Sequence, residues 1–146
     1  MQEYQTTVIK KQQLNSNVVE LELSRPDGFT FQAGQYVGFQ MEYTARSYSM
    51  VSTPDESTLR FCIKIIEDGI GSEYVNSLKV GDEVFISGPF GKFTMDNASS
   101  DVLFVATGVG IAPIVSLIHF LFKQDFNKNG FFKGLEGDPN FLALLN

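Results

Sequence analysis

Tryptophan is absent from this 146-residue chain, and cysteine and histidine occur once each. With Cys62 alone, an internal disulfide, a thiolate zinc site and a four-thiolate iron–sulfur cluster are excluded within the chain. Cys62 lies in the apolar run Leu59–Ile66, where a buried structural thiol is the expected reading. With His119 as the lone imidazole, metal hydrolases and Ser–His or Cys–His nucleophilic systems lack their parts, and a packed histidine on an apolar helix is expected instead. Basic residues are also scarce: 11 Lys and Arg stand against 17 Asp and Glu, for a net charge of -6. That balance excludes a nucleic-acid backbone as the main partner. Long apolar runs are missing too. The longest, Ile111–Phe122, is broken by Pro113, Ser116 and His119 and falls short of the ~20 residues that a membrane span needs. The start, Met-Gln-Glu-Tyr-Gln-Thr-Thr, has no basic and apolar leader pattern. The expectation is a cytoplasmic protein with no membrane span.

What is present reads first as strands. Tyr4–Leu14 alternates loosely and ends at Asn15-Ser16-Asn17; Val18–Leu23 alternates cleanly, with Val19, Leu21 and Leu23 on one face. Arg25-Pro26-Asp27-Gly28 is a turn, because proline presets its own φ and glycine accepts a positive one. Gln35–Met41, Arg46–Val51, Leu59–Ile66 and Glu83–Ser87 complete six strands punctuated by turns, the pattern of an antiparallel barrel or sandwich.

Three stretches carry candidate chemistry. Ala45–Pro54 holds one cation, one ring, four Ser or Thr hydroxyls and no acid, a mixture suited to a flat anionic ligand. Alternation puts Arg46, Tyr48 and Met50 on one face and Ser47, Ser49 and Val51 on the other; the plain alternative is a half-buried strand with a surface arginine. Ile70–Leu78 has the spacing of a short helix, and Gly71-Ser72 in its first turn forms either an anion site or a simple N-cap using Ser72 or Asp68. Finally Asp101–Ala106 is a continuous apolar run, expected to be a strand covered on both faces, leading into Thr107-Gly108-Val109-Gly110-Ile111-Ala112-Pro113 and a helix to about Lys123. Strand, glycine turn and helix open a nucleotide-binding βα unit, although Gly-x-Gly without a third glycine is a weak motif.

In this order the pieces resemble the ferredoxin–NADP(+) reductase superfamily of flavin oxidoreductases over roughly Gln5–Lys123. The resemblance rests on Gly34-Gln35-Tyr36-Val37, Arg46-Ser47-Tyr48-Ser49, Gly71-Ser72-Glu73-Tyr74, Gly81-Asp82-Glu83-Val84, Gly88-Pro89-Phe90-Gly91-Lys92-Phe93 and Gly108-Val109-Gly110-Ile111-Ala112-Pro113. It implies a mainly β fold: a six-stranded antiparallel Greek-key barrel for FAD over residues 1–98, then an incomplete α/β NAD(P)-binding unit over 99–146. By the same resemblance Arg46 binds the flavin pyrophosphate, with Ser47 in the same motif. Tyr48 packs on the isoalloxazine, and Ser49 sits near flavin N5, where hydride from nicotinamide C4 arrives. Ser72 and the N–H groups around Gly71 take a phosphate, while Ile63 and Lys64 lie along the ribityl or pyrophosphate portion. Gly108, Gly110 and Pro113 shape a nicotinamide pocket beside Thr107. The implied activity is electron transfer from NAD(P)H through FAD to a protein or small-molecule acceptor. The hydride chemistry belongs to the cofactor and asks no acid or base of the protein.

Only 39 residues follow Thr107, and Asn127–Gly134 does not resemble the next strand of such a unit. A truncated gene product, a cut piece and a natural short form all remain open, as does an FAD-carrying electron-transfer module without nicotinamide activity. The Phe-rich end (Phe104, Phe120, Phe122, Phe126, Phe131, Phe132, Phe141) supplies core or, left uncovered, drives self-association. Asp125-x-Asn127-x-Asn129-Gly130 with Glu136 fits a calcium-loop pattern. Lys133 within the loop and Pro139 just after it speak for a polar surface loop, so no metal is expected.

Overall fold

The computed structural model describes residues 2–96 and 102–124. Six strands form one antiparallel sheet: β1 (Glu3–Asn15), β2 (Val18–Ser24), β3 (Tyr36–Gln40), β4 (Ala45–Ser49), β5 (Thr58–Lys64) and β6 (Glu83–Phe90), in the order β4-β3-β6-β1-β2-β5. β1 is long because it serves two ladders. Its first half, Glu3–Thr7, pairs with β6, and its second half, from Val8 on, pairs with β2. The switch folds the sheet around one core in which Leu21, Leu23, Phe39, Phe61 and Ile86 are fully buried. The expected six-stranded barrel is found, but its sheet is not closed. The edge strands β4 and β5 approach at a single bridge, Met50 with Phe61, and along Ala45–Ser49 no ladder joins them.

Local chemistry explains most of these boundaries. At the β1–β2 hairpin, Asn17 N–H donates to the Asn15 side chain at 2.8 Å. β2 alternates as its sequence demands: Val19, Leu21 and Leu23 enter the core, while Glu20 pairs with Lys10 at 3.1 Å. In the loop before β3, Gly34 has φ +92, and a side chain there would run into the Phe93 carbonyl.

The helix α1 (Ile70–Ser77) follows β5 and contributes Val75 to the core, with Leu78 just past its end. A 3-10 turn (Gly108–Ile111) leads into α2 (Ala112–Lys123). α2 packs on the outside of β2 and β5, where Ala112 and Val115 join Val18, Val51 and Cys62 in a second buried cluster.

The apolar run before α2 departs from expectation. Residues 102–106 form no ladder, and Leu103 and Val105 are 87% and 73% exposed. A both-face-buried strand needs sheet neighbours, and none of the described strands lies beside this run. The expected domain boundary at 98/99 and the Asp125–Glu136 pattern lie outside the described residues, as do the phenylalanines from Phe126 on. Among the described residues no helix is long and apolar enough to cross a membrane, and no cluster of three or more His, Cys, Asp or Glu could hold a metal.

Candidate functional site

The edge of β4 beside the first turn of α1 is where several of the predicted residues converge. Tyr48, on β4, leans its ring edge-on against Phe39 at 4.8 Å, and Phe39 meets Phe61 at 5.0 Å, so its direction is fixed from the core outward. Burial pushes the Tyr48 hydroxyl above its ordinary pKa, with Arg46 opposing, so the group remains protonated at neutral pH. Gly71, in the first turn of α1, lies directly against it. A Cβ at Gly71 would strike the Tyr48 hydroxyl and lie 3.2 Å from Arg46 Cγ. The glycine is therefore required by a close approach between β4 and α1.

Arg46 is exposed, and its guanidinium donates only to neutral oxygens: Thr44 Oγ1 at 2.8 Å and the Ala45 carbonyl at 3.0 Å. Among the described residues no carboxylate pairs with it, whereas Arg60 is held by Glu20 and Glu56. A cation with neutral partners beside a helix start can receive an anion without breaking an ion pair.

The helix start is open as well. The N-cap of α1 is Gly69, with no side-chain cap, so neither Ser72 nor Asp68 closes it. Ser72 Oγ accepts instead from Ile66 N–H at 2.8 Å, outside the helix, because the chain bends back at Asp68 with φ +56. Ser72 thereby ties β5's exit to α1, and its own O–H remains a donor. At the other end Lys11 donates to the Asn76 and Leu78 carbonyls at 2.7 and 2.9 Å, fixing α1 by its C-terminus. Burial lowers the Lys11 pKa while Asp82 raises it. No local signal marks Lys11 for this role, since its partners lie 65 and 67 residues away.

The remaining predicted residues fall elsewhere. Ser47 and Ser49 take the face of β4 opposite Arg46 and Tyr48, across from Gly38 and Tyr36. Ile63 is buried in the main core, which leaves its main chain rather than its side chain for any ligand. Lys64 is exposed at the end of β5. Val51 N–H donates to the Arg60 carbonyl at 2.8 Å across the β4–β5 edge. The two-residue period of a strand turns the main chain of Cys62 and Lys64 the same way, a feature that residue types do not reveal.

Thr107, Gly108, Gly110 and Pro113 form a second group. Gly110 N–H donates to the Thr107 carbonyl at 3.1 Å, Gly108 has φ +53, and Pro113 stands in the opening turn of α2. Nothing lies within 4 Å of a Cβ built on Gly108 or Gly110. The protein's own packing therefore does not demand a glycine at 110. This turn seats on the barrel through Val109 and Ile111, against the cluster of Val51 and Cys62.

A sheet edge, an arginine bonded only to neutral groups, an uncapped helix start and a backed ring make a donor set for a flat ligand with a phosphate, and a flavin dinucleotide has both parts. Residues 5–95 match the family described as the oxidoreductase FAD-binding domain. The chain belongs to that family. It is 37% identical over 124 residues to ferredoxin–NADP reductase B of Sorangium cellulosum, covering 79% of this chain and 50% of that protein. It is 34% identical over 128 residues to the reductase component of propane 2-monooxygenase from Mycolicibacterium goodii, covering 83% of this chain and 37% of the relative. Among solved structures, the H286L mutant of ferredoxin–NADP+ reductase from Plasmodium falciparum superposes with a TM-score of 0.80 at 28% identity, covering 88% of this chain and 56% of that one. The chain thus spans about half or less of the length of these two curated relatives. This FAD-binding oxidoreductase domain shares its mainly β architecture with the reductases.

Proposed function

We propose that this domain holds FAD in the slot between β4 and β5 and serves in electron transfer from NAD(P)H to an acceptor. The observation that carries the reading is the convergence of Arg46 and Tyr48 from one motif with Gly71 from another, at one uncapped helix start. Bound FAD supplies an electron carrier that accepts hydride and passes electrons on. The chain's part is binding and orientation. Arg46 and the N–H groups at Gly71 and Ser72 clamp the pyrophosphate, and Tyr48, backed by Phe39, supports the ring and keeps water from one of its faces. Ser47 and Ser49, on the other face of β4, and the main chain at Ile63 and Lys64 would supply further contacts to the flavin. Thr107, Gly108, Gly110 and Pro113 receive the nicotinamide, whose approach the open space at Gly110 allows.

The names of the relatives, a ferredoxin–NADP reductase and a monooxygenase reductase component, support a protein acceptor. Exposed Leu103 and Val105 support self-association, read by sedimentation at increasing concentration. A second reading, an FAD-carrying module without nicotinamide activity, is favoured by the run 102–106, which pairs with no strand among the described residues.

The deciding experiment is a visible absorbance spectrum of the purified chain with FAD, before and after anaerobic NADH or NADPH. Binding with bleaching supports the reductase reading. Binding that stays yellow under both nucleotides moves the chain to the second reading. No binding by a folded chain sinks both.

A further inference from the structure

The helix α2 is tied to the barrel by bonds that the cofactor roles do not use. Ser116 Oγ donates to the Ser52 carbonyl at 2.7 Å, and both residues are fully buried. Ser52 Oγ in turn accepts from Arg60 N–H at 3.1 Å, so one residue joins β5, α2 and the segment leaving β4. At the far end of α2, Lys123 donates to Asp55 at 2.7 Å and Thr53 at 3.1 Å, and Thr53 is itself buried. Between these anchors Leu117 Cδ1 comes within 3.3 Å of a Cβ built on Gly34. Ser52 lies three residues past Ser49, and Ser116 three past Pro113. The buried bond therefore links the segment leaving the candidate flavin strand to the helix that follows the candidate nicotinamide turn.

We propose that Ser116, seconded by Lys123, is a positioning residue that holds the 107–113 turn in register with β4, so that barrel and turn move as one body. The inference rests on the reading of 107–113 as the nicotinamide turn for its functional consequence, but not for its mechanical part. A buried hydroxyl-to-carbonyl bond costs more to lose than an exposed one, because the carbonyl is left without a donor. Neither residue touches the proposed flavin slot, so flavin affinity and nicotinamide reactivity should separate.

The test uses the full 146-residue chain loaded with FAD, as wild type, Ser116→Ala and Lys123→Met. Three readouts are taken on each: amide hydrogen exchange along α2, the Kd for FAD, and the rate of anaerobic bleaching by NADH and NADPH. For Ser116→Ala, α2 exchange is expected to rise about 5–30-fold, as loss of one buried bond implies, with bleaching slowed and FAD affinity unchanged. Lys123→Met, a surface change that leaves the core intact, is expected to show the same pattern more weakly. Unchanged α2 exchange in Ser116→Ala overturns the proposal. A loss of FAD affinity matching the loss of bleaching also overturns it, because the residue would then support the barrel generally. If the wild-type chain binds FAD but neither nucleotide bleaches it, the nicotinamide reading has failed by itself. The exchange comparison then still decides whether Ser116 anchors α2.

Discussion

Two apolar stretches of this molecule have opposite fates. Leu-Arg-Phe-Cys-Ile-Lys in β5 is interrupted by charges, yet Phe61, Cys62 and Ile63 are all buried. Val-Leu-Phe-Val-Ala at 102–106 carries no charge at all, yet it pairs with no strand among the described residues and leaves Leu103 and Val105 largely exposed. The difference lies in the neighbours. β5 has β2 along one edge, the barrel core beneath it and α2 above it, so even its outward Cys62 is covered. The 102–106 run has no strand beside it among the described residues. Apolar composition states a demand for burial, and only partners elsewhere in a sheet can meet it.

Substitution at matched positions should sharpen that contrast most. Phe61→Ala removes a fully buried ring that touches Phe39, and should cost about 3–5 kcal/mol in urea unfolding. Leu103→Ala removes an 87% exposed side chain and should stay within about 0.5 kcal/mol. Comparable losses at the two positions would mean that the run is buried in solution and that the two stretches share one fate.

The proposed ligand slot is the next place to press, because it is built on the open side of the same β5. Gly71→Val places a branched side chain against the Tyr48 hydroxyl and Arg46. Overpacking of about 1–3 kcal/mol, directed at the slot, should weaken FAD binding roughly tenfold or more in a fluorescence-quenching titration. Arg46→Ala should act on the ligand rather than on the fold. Its folded-state bonds go only to Thr44 and Ala45, so unfolding should shift by less than about 0.5 kcal/mol. FAD affinity should meanwhile fall by about 1.5–3 kcal/mol, the range for a hydrogen bond to a charged group. A large stability loss with unchanged affinity would invert the assignment.

How far the sequence foretold all this depends on range. β2 was readable because one face is wet and the other dry, and Val19, Leu21 and Leu23 fell where the alternation put them. α1 was legible to within a residue from Ile70, Tyr74 and Leu78, and the approach of Arg46, Tyr48 and Gly71 was foreshadowed by resemblance between motifs. What escaped was long-range or depended on context. Neither the Lys11 bonds to α1 nor the Ser116 bond to Ser52 leaves a periodic signal, because each spans more than sixty residues. The N-cap alternative for Ser72 missed that its hydroxyl serves Ile66, a preference created by the bend at Asp68. The register with Val19 also turns the Ile63 side chain into the core, which its residue type does not show.

The smallest expected effect concerns pH and falls where α2 covers the barrel. His119 is half-buried on α2, and burial lowers its pKa; Arg60 and Lys123 push the same way while Glu56 opposes them. The folded chain therefore favours the neutral ring. Its contribution is complete above the ordinary value of 6.5 and is lost as pH falls from there through the lowered folded pKa, with a slope no steeper than about 1.4 kcal/mol per pH unit. Asp55 titrates further down, its pKa lowered to about 2 by the hydrogen bonds from Lys123 and Thr53, so its contribution is lost only between 3.8 and about 2. Because Asp55 is exposed, screening keeps that second contribution below about 1 kcal/mol and makes it fade with salt. Unfolding followed from pH 8 to 5 should thus show a His119-dependent decline that His119→Asn abolishes and that moderate salt leaves standing. An identical decline in His119→Asn would assign the effect to groups other than this half-buried ring on α2.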